Sequence, residues 1–223
     1  MLKSKFSLIA SLLLSLASTR AADAAGFDVH PITVETRDGS GVVVVTNSGD
    51  RRVYLESHIL DWSQDPAGNE RLTEAETAVV SPPGTWVQPN SSYSLRLRLP
   101  ASGTTVERAF RIVIRQLPER GDLAGGRVVF ALTQNLPAFV AAADSSPPQL
   151  SARLIDPQRI LIQNSGGRRA RITSIVQDGR VVASGLIGYA LAQGGLSVVL
   201  PHPVHPGTFD VETDIGRRNV ALR

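Results

Sequence analysis

The chain of 223 residues contains no cysteine, which excludes disulfide bonds and thiolate chemistry. Aromatic residues make up only 5% of the chain. That leaves too few rings for a base-stacking surface of the kind that binds single-stranded nucleic acid. The patterns G-x-x-x-x-G-K-[ST] and G-x-S-x-G are also absent. Neither a phosphate-binding loop nor a nucleophile elbow is therefore predicted.

The first residues have the pattern of a secretory signal peptide. Two lysines precede an apolar run from Phe6 to Ser18, and Ala22-Asp23-Ala24 fits a cleavage site. We predict a signal peptide over residues 1–24 and export of the remaining chain. No later run is long and apolar enough for a transmembrane helix, so no stable membrane insertion is expected.

Lysine occurs only in this leader, at Lys3 and Lys5, so the remaining chain is basic through arginine alone. The leader also holds Arg20 and Asp23, and without it the formal charge of +3 falls to +1. The net charge of the exported chain therefore gives no reason to predict a nucleic-acid partner.

Short alternating runs of apolar and polar residues dominate the exported chain. Ser94 to Leu99 places three leucines on one face and two arginines on the other, and Thr208 to Ile215 alternates in the same way. Turn pairs such as Asp38-Gly39 and Asp178-Gly179 separate the runs. A period of two with frequent turn residues predicts an all-β chain of the sandwich type.

One turn sequence occurs twice. Asn47 to Arg52 reads N-S-G-D-R-R and Asn164 to Arg169 reads N-S-G-G-R-R, each after an apolar strand. This repetition indicates two domains of one fold, and Asp144 to Pro148 has the composition of a linker. We predict two immunoglobulin-like β-sandwich domains, at 25–143 and 144–223.

Histidines and acidic residues are the remaining candidates for chemistry. Prolines flank His202 and His205 and exclude a helix, and in an extended segment residues three apart point to opposite faces. We expect an exposed loop there.

The acidic residues from Asp61 to Glu76 lack the D-x-[DN]-x-[DN]-G pattern of a calcium loop and are expected to lie in a solvated loop. We predict no enzyme activity, no metal site and no cofactor; a metal-dependent hydrolase using the two histidines is the least favoured alternative.

The stretch from Arg127 to Val140 has apolar side chains on both faces. From Val128 to Leu136 it contains no charge, glycine or proline, the features that normally protect an edge strand from pairing. Two interpretations stay open. The strand packs inward under the second domain, or it pairs with the edge of a partner protein by β-augmentation.

Several short motifs follow one another in a characteristic order. They are Phe27 to Ile32, Val43 to Gly49, Ser81 to Pro83, Glu107 with Phe110 and Arg111, Leu117-Pro118, and Leu136 to Val140. In this order they resemble the motifs of the periplasmic chaperones of chaperone–usher pilus assembly. The resemblance implies two immunoglobulin-like domains set at an angle and a location in the periplasm. It also implies capture of pilus subunits, which are passed to an outer-membrane usher without ATP.

The resemblance also assigns the binding strand. It places the strand that such chaperones lend to a subunit at Arg127 to Leu136. The implied subunit-binding side chains are Val128, Phe130, Leu132 and Leu136. The alternative function is that of a two-domain envelope adhesion or binding protein without chaperone activity.

The family's usual carboxylate anchor is missing. Related chaperones hold the terminal carboxylate of the subunit with an arginine and a lysine, and the matching positions here are Thr33 and Pro137. Arg96 and Arg111 remain as candidate anchors, because arginine can bind a carboxylate with two hydrogen bonds. The favoured alternative is a structural, interdomain ion cluster. The family pattern assigns four residues to this cluster: Arg96, Arg111, Glu107 and Asp214. It pairs Arg96 with Glu107.

Overall fold

A computed structural model describes residues 26–118 and 131–222. These residues form strands, turns and loops with no helix among them, and hence no helix that could cross a bilayer. This confirms the all-β prediction. The first ten strands are β1 (Phe27–His30), β2 (Val34–Thr36), β3 (Ser40–Asn47), β4 (Val53–Gln64), β5 (Glu70–Glu74), β6 (Val79–Ser81), β7 (Gly84–Val87), β8 (Ser91–Arg98), β9 (Arg108–Leu117) and β10 (Thr133–Val140). The later strands are β11 (Leu150–Asp156), β12 (Arg159–Asn164), β13 (Ala170–Gln177), β14 (Arg180–Ala190), β15 (Gly195–Val199), β16 (Gly207–Thr213) and β17 (Gly216–Leu222).

The first ten strands make a two-sheet sandwich. One sheet has the order β1-β3-β8-β6, and the other has the order β2-β10-β9-β4-β5 with β7 also paired to β4. Alternate residues of the strands face each other between the sheets: Leu95 and Leu97 from β8 meet Phe110, Ile112 and Ile114 from β9 in one core. The leucine alternation predicted from sequence is thus the inward face of β8.

The last seven strands form one sheet with the order β14-β13-β16-β17-β11-β12-β15. Ile160 and Ile162 on β12 share a core with Ile172 and Ile175 on β13, although three strands separate β12 from β13 in the sheet. The sheet therefore folds back on itself into a second sandwich. The predicted domain boundary at 143/144 falls in the strand-free interval between β10 and β11.

The turn after β3 is organised by one buried asparagine. The Asn47 side-chain amide donates to the backbone carbonyls of Arg51, Val87 and Gln88 at 2.7, 3.1 and 3.2 Å. Its carbonyl oxygen accepts from the N–H of Gly49 at 3.0 Å. Hydrogen bonds of this kind let an asparagine replace backbone partners in a turn.

The turn after β12 has the same construction. The Asn164 amide donates to the carbonyls of Arg168, Ala190 and Leu191 at 2.7, 3.1 and 3.1 Å. Its oxygen accepts from the N–H of Gly166 at 2.9 Å. The repeat seen in the sequence is thus a repeated hydrogen-bonding motif, with one copy in each sandwich.

Candidate functional site

Strand β10 has an open edge. Over its whole length it pairs with β9, antiparallel, from Thr133 opposite Arg115 to Val140 opposite Arg108. On its other side β2 pairs with it only over Ala138–Val140. In the ranges that the structure describes, no strand lies beside the segment Thr133–Pro137 on that side. An unpaired edge of this kind is a template for a further strand.

The register shows which backbone groups the open edge offers. The N–H of Gln116 on β9 donates to the carbonyl of Leu132 at 2.9 Å. Backbone direction alternates along an antiparallel strand, so Thr133, Asn135 and Pro137 direct their backbone groups away from β9. Proline lacks an N–H, and an edge facing away from the ladder is where a sheet tolerates it. The parallel bridge between Ala138 and Val34 uses the Pro137 carbonyl, so the edge offers two N–H groups and two carbonyls, those of Thr133 and Asn135.

The side chains at this edge divide between the domain's own core and solvent. Leu136 is 3% exposed and packs in the first core. Its side chain therefore packs within its own domain, whereas the sequence analysis predicted that Leu136 binds the subunit. Leu132 follows the same alternation but is 39% exposed. Val128 and Phe130 lie outside the described residues, as do residues 127–130 of the predicted donor strand from Arg127 to Leu136.

Arg111 lies opposite Pro137, the position at which the family resemblance predicts a lysine. It is the cross-strand partner of Pro137, and its guanidinium stacks on the Trp62 ring with Cζ 3.5 Å from the ring centroid. One terminal nitrogen is 2.7 Å from Oε1 of Glu70. The Nε atom of Arg111 is buried and has no hydrogen-bond partner among the described residues. The side chain is 15% exposed. Its guanidinium lies over β4 and β5, on the side of β9 away from the open edge of β10.

A cleft between the two sandwiches contains this arginine. Its volume is about 670 Å³. Glu70 and Arg111 belong to its first-domain wall, and Leu186, Tyr189 and Val199 belong to its second-domain wall. Leu186 and Val199 are largely exposed. The cleft thus combines a cationic side with an apolar side.

Glu107 forms an ion cluster between the domains. Its carboxylate accepts from Nη1 of Arg169 at 2.6 Å and from the backbone N–H of Arg169 at 3.1 Å. Arg169 also pairs with Glu35, and its guanidinium lies 3.6 Å from the centroid of Phe139. Burial raises the pKa of the Glu107 carboxyl, and the Arg169 guanidinium opposes that rise. Both side chains of the Glu107–Arg169 pair are almost fully buried.

Two residues expected near this cluster lie elsewhere. Arg96 is exposed on β8, in the opposite sheet of the first sandwich, so the predicted ion pair with Glu107 is not formed. Asp214 follows β16, and its carboxylate accepts from the backbone N–H of Arg171 at 3.0 Å. Of the four residues proposed from sequence, only Glu107 joins the interdomain cluster, and only Arg111 lines the cleft.

Arg169 is the functional candidate that the sequence interpretation missed. It is the last residue of the second N-S-G-x-R-R turn, and its counterpart Arg52 in the first turn is exposed. The repeated turn contains an arginine at this position in both copies, but nothing in the sequence showed that Arg169 is buried and Arg52 is exposed.

The other candidates are structural or exposed. His202 and His205 lie in the exposed segment between β15 and β16, and His205 contacts Asp178 at 3.1 Å. Within the described ranges, no three histidine, aspartate or glutamate side chains are grouped to hold a metal ion. The acidic stretch expected to be a loop contains strand β5, whose five residues are all exposed. A strand without a buried face lacks the alternation that would reveal it.

A comparison with protein families connects these features to a known group. The family model for the pili and flagellar-assembly chaperone, PapD N-terminal domain, matches residues 29–144. The chain belongs to this family. The match includes the open edge of β10, Glu107 and Arg111, and it confirms the predicted relationship to the chaperones of pilus assembly. No curated protein matches the chain in sequence.

Solved structures show the same fold. A chain of the CsuC–CsuE chaperone–tip adhesion subunit pre-assembly complex from Acinetobacter baumannii is 16% identical, with a TM-score of 0.71 over 89% of this chain and 100% of that one. The Salmonella enterica SafA pilin–SafB chaperone complex gives 14% identity and a TM-score of 0.64, over 91% and 99%. The E. coli chaperone DraB gives 16% identity and 0.61, over 89% and 97%. The likeness covers both sandwiches, as the sequence predicted.

Proposed function

We propose that the protein is a periplasmic chaperone that binds pilus subunits by donor-strand complementation and delivers them to an outer-membrane usher without ATP. The observation that carries the proposal is the open edge of β10 at Thr133–Pro137, which leads directly to the exposed Leu132. Export through the predicted signal peptide of residues 1–24 accounts for the location.

The edge supplies the two components that β-augmentation needs. Outward backbone groups of Thr133 and Asn135 can pair with a subunit strand, while alternate side chains fill the subunit's exposed core. Leu132 directly precedes β10 and continues the row of inward-facing side chains, but it lies beyond the core that contains Leu136. In the sequence the row continues to Phe130 and Val128. Burial of each such side chain contributes about 1.5–3 kcal/mol.

The similar structures support the choice of partner. The CsuC–CsuE structure is a complex of a chaperone with a tip subunit, and the SafB structure is a complex of a chaperone with a pilin. A subunit of the same kind is therefore the proposed client. The sequence contains no P-loop pattern, which agrees with binding energy from strand pairing alone.

Arg111 is the proposed anchor for a client carboxylate. The resemblance places the family's lysine at Pro137, which lies opposite Arg111 in the ladder, and the Arg111 guanidinium lies beyond β9, over Trp62 of β4. The guanidinium is held in place by the Trp62 ring and by Glu70. A client carboxylate would bind beside Glu70 or replace it, since arginine offers five N–H donors.

Co-expression with a pilus subunit from the same genome tests the strand. We expect Leu132→Asp to abolish recovery of a soluble complex, because it places a charge in the subunit core. Val44→Asp is the matched control: Val44 is also 39% exposed, but it lies in the opposite sheet. Asn135→Pro removes one outward N–H and should weaken capture without unfolding the domain, since β10 already accepts Pro137 in the same register.

The result that contradicts donor-strand binding is specific. If the Leu132 and Asn135 variants both capture the subunit as well as the Val44 variant does, the chain does not donate this strand to the subunit. An envelope-binding protein without chaperone activity would show a further difference, because the subunit would then stay soluble in cells that lack the chain. Capture should also proceed in buffer without ATP.

A pair of opposite substitutions tests the anchor. We expect Arg111→Gln to weaken subunit binding about tenfold, equal to about 1.4 kcal/mol, because a charge-assisted hydrogen bond is lost. Glu70→Gln removes the competing carboxylate and should keep or increase the affinity. Equal loss in both variants would mean that the Arg111–Glu70 pair is needed for structure rather than for a client carboxylate.

A further inference from the structure

The two sandwiches contact each other through more than the Glu107–Arg169 pair. Trp62 and Phe139 from the first sandwich pack with Tyr189 and Leu191 from the second in a separate apolar cluster. Trp62 lies near the end of β4, immediately before the turn that joins β4 to β5. The turn itself, residues 64–69, also reaches the second sandwich.

Gln64 binds the second sandwich with both ends of its amide. Its Nε2 donates to the carbonyl of Tyr189 at 2.7 Å. Its Oε1 accepts from the backbone N–H of Leu191 at 2.9 Å. The side chain therefore binds two backbone groups of the second sandwich that lie two residues apart.

The turn that follows is held rigid by Asp65. Its carboxylate accepts from the backbone N–H groups of Ala67 and Asn69, each at 2.9 Å. The N–H of Gly68 donates to the Asp65 carbonyl, also at 2.9 Å. The backbone N–H and the side chain of Asn69 hold the pKa of the Asp65 carboxyl below its usual value. Residues 65–69 thus form a preorganised loop.

Gly68 is the point where this loop meets the second sandwich. The N–H of Ser197 donates to the Gly68 carbonyl at 3.1 Å. A Cβ atom on Gly68 would lie 2.5 Å from the Ser197 nitrogen and 2.6 Å from Cδ1 of Leu161. Gly68 also has φ = +83°, a conformation that only glycine adopts without strain. Both the backbone conformation and the close approach require glycine.

The same loop leads into the cleft. Glu70 follows Asn69 directly and pairs with Arg111, and Gly68 and Ser197 both line the cleft with Leu186. We propose that residues 64–69 act as a brace: they fix the orientation of the two sandwiches and hold the two walls of the cleft at the separation that client capture requires. The second half of this inference rests on the proposed function, while the first half stands without it.

Substitution of two glycines separates the contact from the backbone strain. Gly68→Ala introduces both the contact and the positive-φ strain. Gly179→Ala introduces the strain alone, since Gly179 has φ = +75° and no atom within 4 Å of the added Cβ. We expect both variants to lose some stability. Only Gly68→Ala should change the domain orientation, measured by residual dipolar couplings, and weaken subunit capture about tenfold, a typical size for coupling between sites.

Gln64 supplies a second route to the same conclusion should Gly68→Ala fail to fold. Gln64→Ala removes both bonds to the second sandwich, whereas Gln64→Glu keeps an acceptor for the Leu191 N–H and loses the donor to Tyr189. The orientation change and the loss of capture should therefore be larger for alanine than for glutamate. A merely structural role would lower stability in both variants without this graded loss of capture.

Three outcomes would overturn the inference or its parts. Unchanged dipolar couplings in both the Gly68 and the Gln64 variants would show that the loop does not fix the orientation. A changed orientation with full capture would show that the cleft geometry does not limit client binding. If the unmodified chain captures no subunit, the proposed function fails, and the couplings still decide whether the brace exists.

Discussion

The two copies of the N-S-G-x-R-R turn show how one local structure acquires two roles. Asn47 and Asn164 make the same set of hydrogen bonds within their own turns. In the first sandwich the turn ends in an exposed arginine, Arg52, which stacks on Trp86 at 4.3 Å. In the second it ends in Arg169, which is buried against Phe139 and paired with Glu107.

The different burial of Arg52 and Arg169 results from the surroundings of each turn and not from the turn itself. The second copy faces the first sandwich. Gly167 accepts from the N–H of Glu107 at 2.8 Å and donates to the carbonyl of Ser146 at 3.1 Å. A Cβ atom on Gly167 would lie 2.7 Å from the carbonyl oxygen of Thr105, whereas the matching residue in the first copy is the exposed Asp50. Both sandwiches thus contain the same turn, and domain packing places the arginine of only the second copy between the domains.

The largest effect should come from the two arginines. Arg169→Ala leaves Glu107 as a buried charge without its partner, which costs about 3–5 kcal/mol. Arg52→Ala removes an exposed cation–π contact worth about 0.5–1 kcal/mol. Calorimetric unfolding of both variants measures the difference. Similar losses in the two variants would mean that burial of Arg169 contributes nothing beyond the stacking that both arginines share.

The two asparagines should give a smaller and nearly equal effect. Asn47→Ala and Asn164→Ala each leave carbonyls and one glycine N–H in a buried turn without a partner, at a cost of about 1–3 kcal/mol. Asn164→Ala also removes the acceptor of the Gln149 N–H. Urea unfolding monitored by circular dichroism tests this expectation. Asn164→Ala should in addition loosen the interface, because Leu191 both accepts from Asn164 and donates to Gln64. A negligible loss for one asparagine alone would show that the two turns are not equivalent.

The smallest effect concerns the titration of Glu107. Burial raises the pKa of this carboxyl and Arg169 opposes the rise, so Arg169→Ala should raise the pKa further. A carboxyl whose folded pKa is raised contributes stability that is fully present below its ordinary pKa and is lost as pH rises through the folded value. The loss should therefore extend to higher pH in Arg169→Ala. Carbon-detected NMR titration measures the pKa directly, and Arg52→Ala, the control, should leave it unchanged.

Much of the fold could be predicted because it follows from local pattern. Alternation at Leu95 and Leu97 reflects the fact that one face of an antiparallel strand is buried. The turn motif reflects the hydrogen bonds that Asn47 and Asn164 make within their own turns. Strand β5 escaped prediction for the same reason: its exposed residues, including Glu70, bury no face and carry no period. The apolar stretch that contains β10 was visible in the sequence, but the side chain at which the domain's own core ends, Leu136, was not.

The candidate site could be predicted only in part. The motif around Glu107 and Arg111 pointed to the correct strand, β9, but not to the partners of these residues. Arg96 lies two sheet layers away from the cleft although it aligns with the family pattern, and Asp214 binds the backbone of Arg171. Ion pairs between residues distant in sequence depend on how the sandwiches pack, and no local signal reports that packing.

By itself, the amino-acid sequence determined the all-β class, the repeated sandwich, the relationship to pilus-assembly chaperones and the restriction of lysine to positions 3 and 5. Each depends on residue identity or on a short period along the chain. The tertiary structure decided which arginine clamps the domains, which one enters the cleft and which glycine lets the β4–β5 turn meet the second sandwich. These are contacts between segments far apart in the chain, and their energies depend on burial and distance, which only the packed domains define.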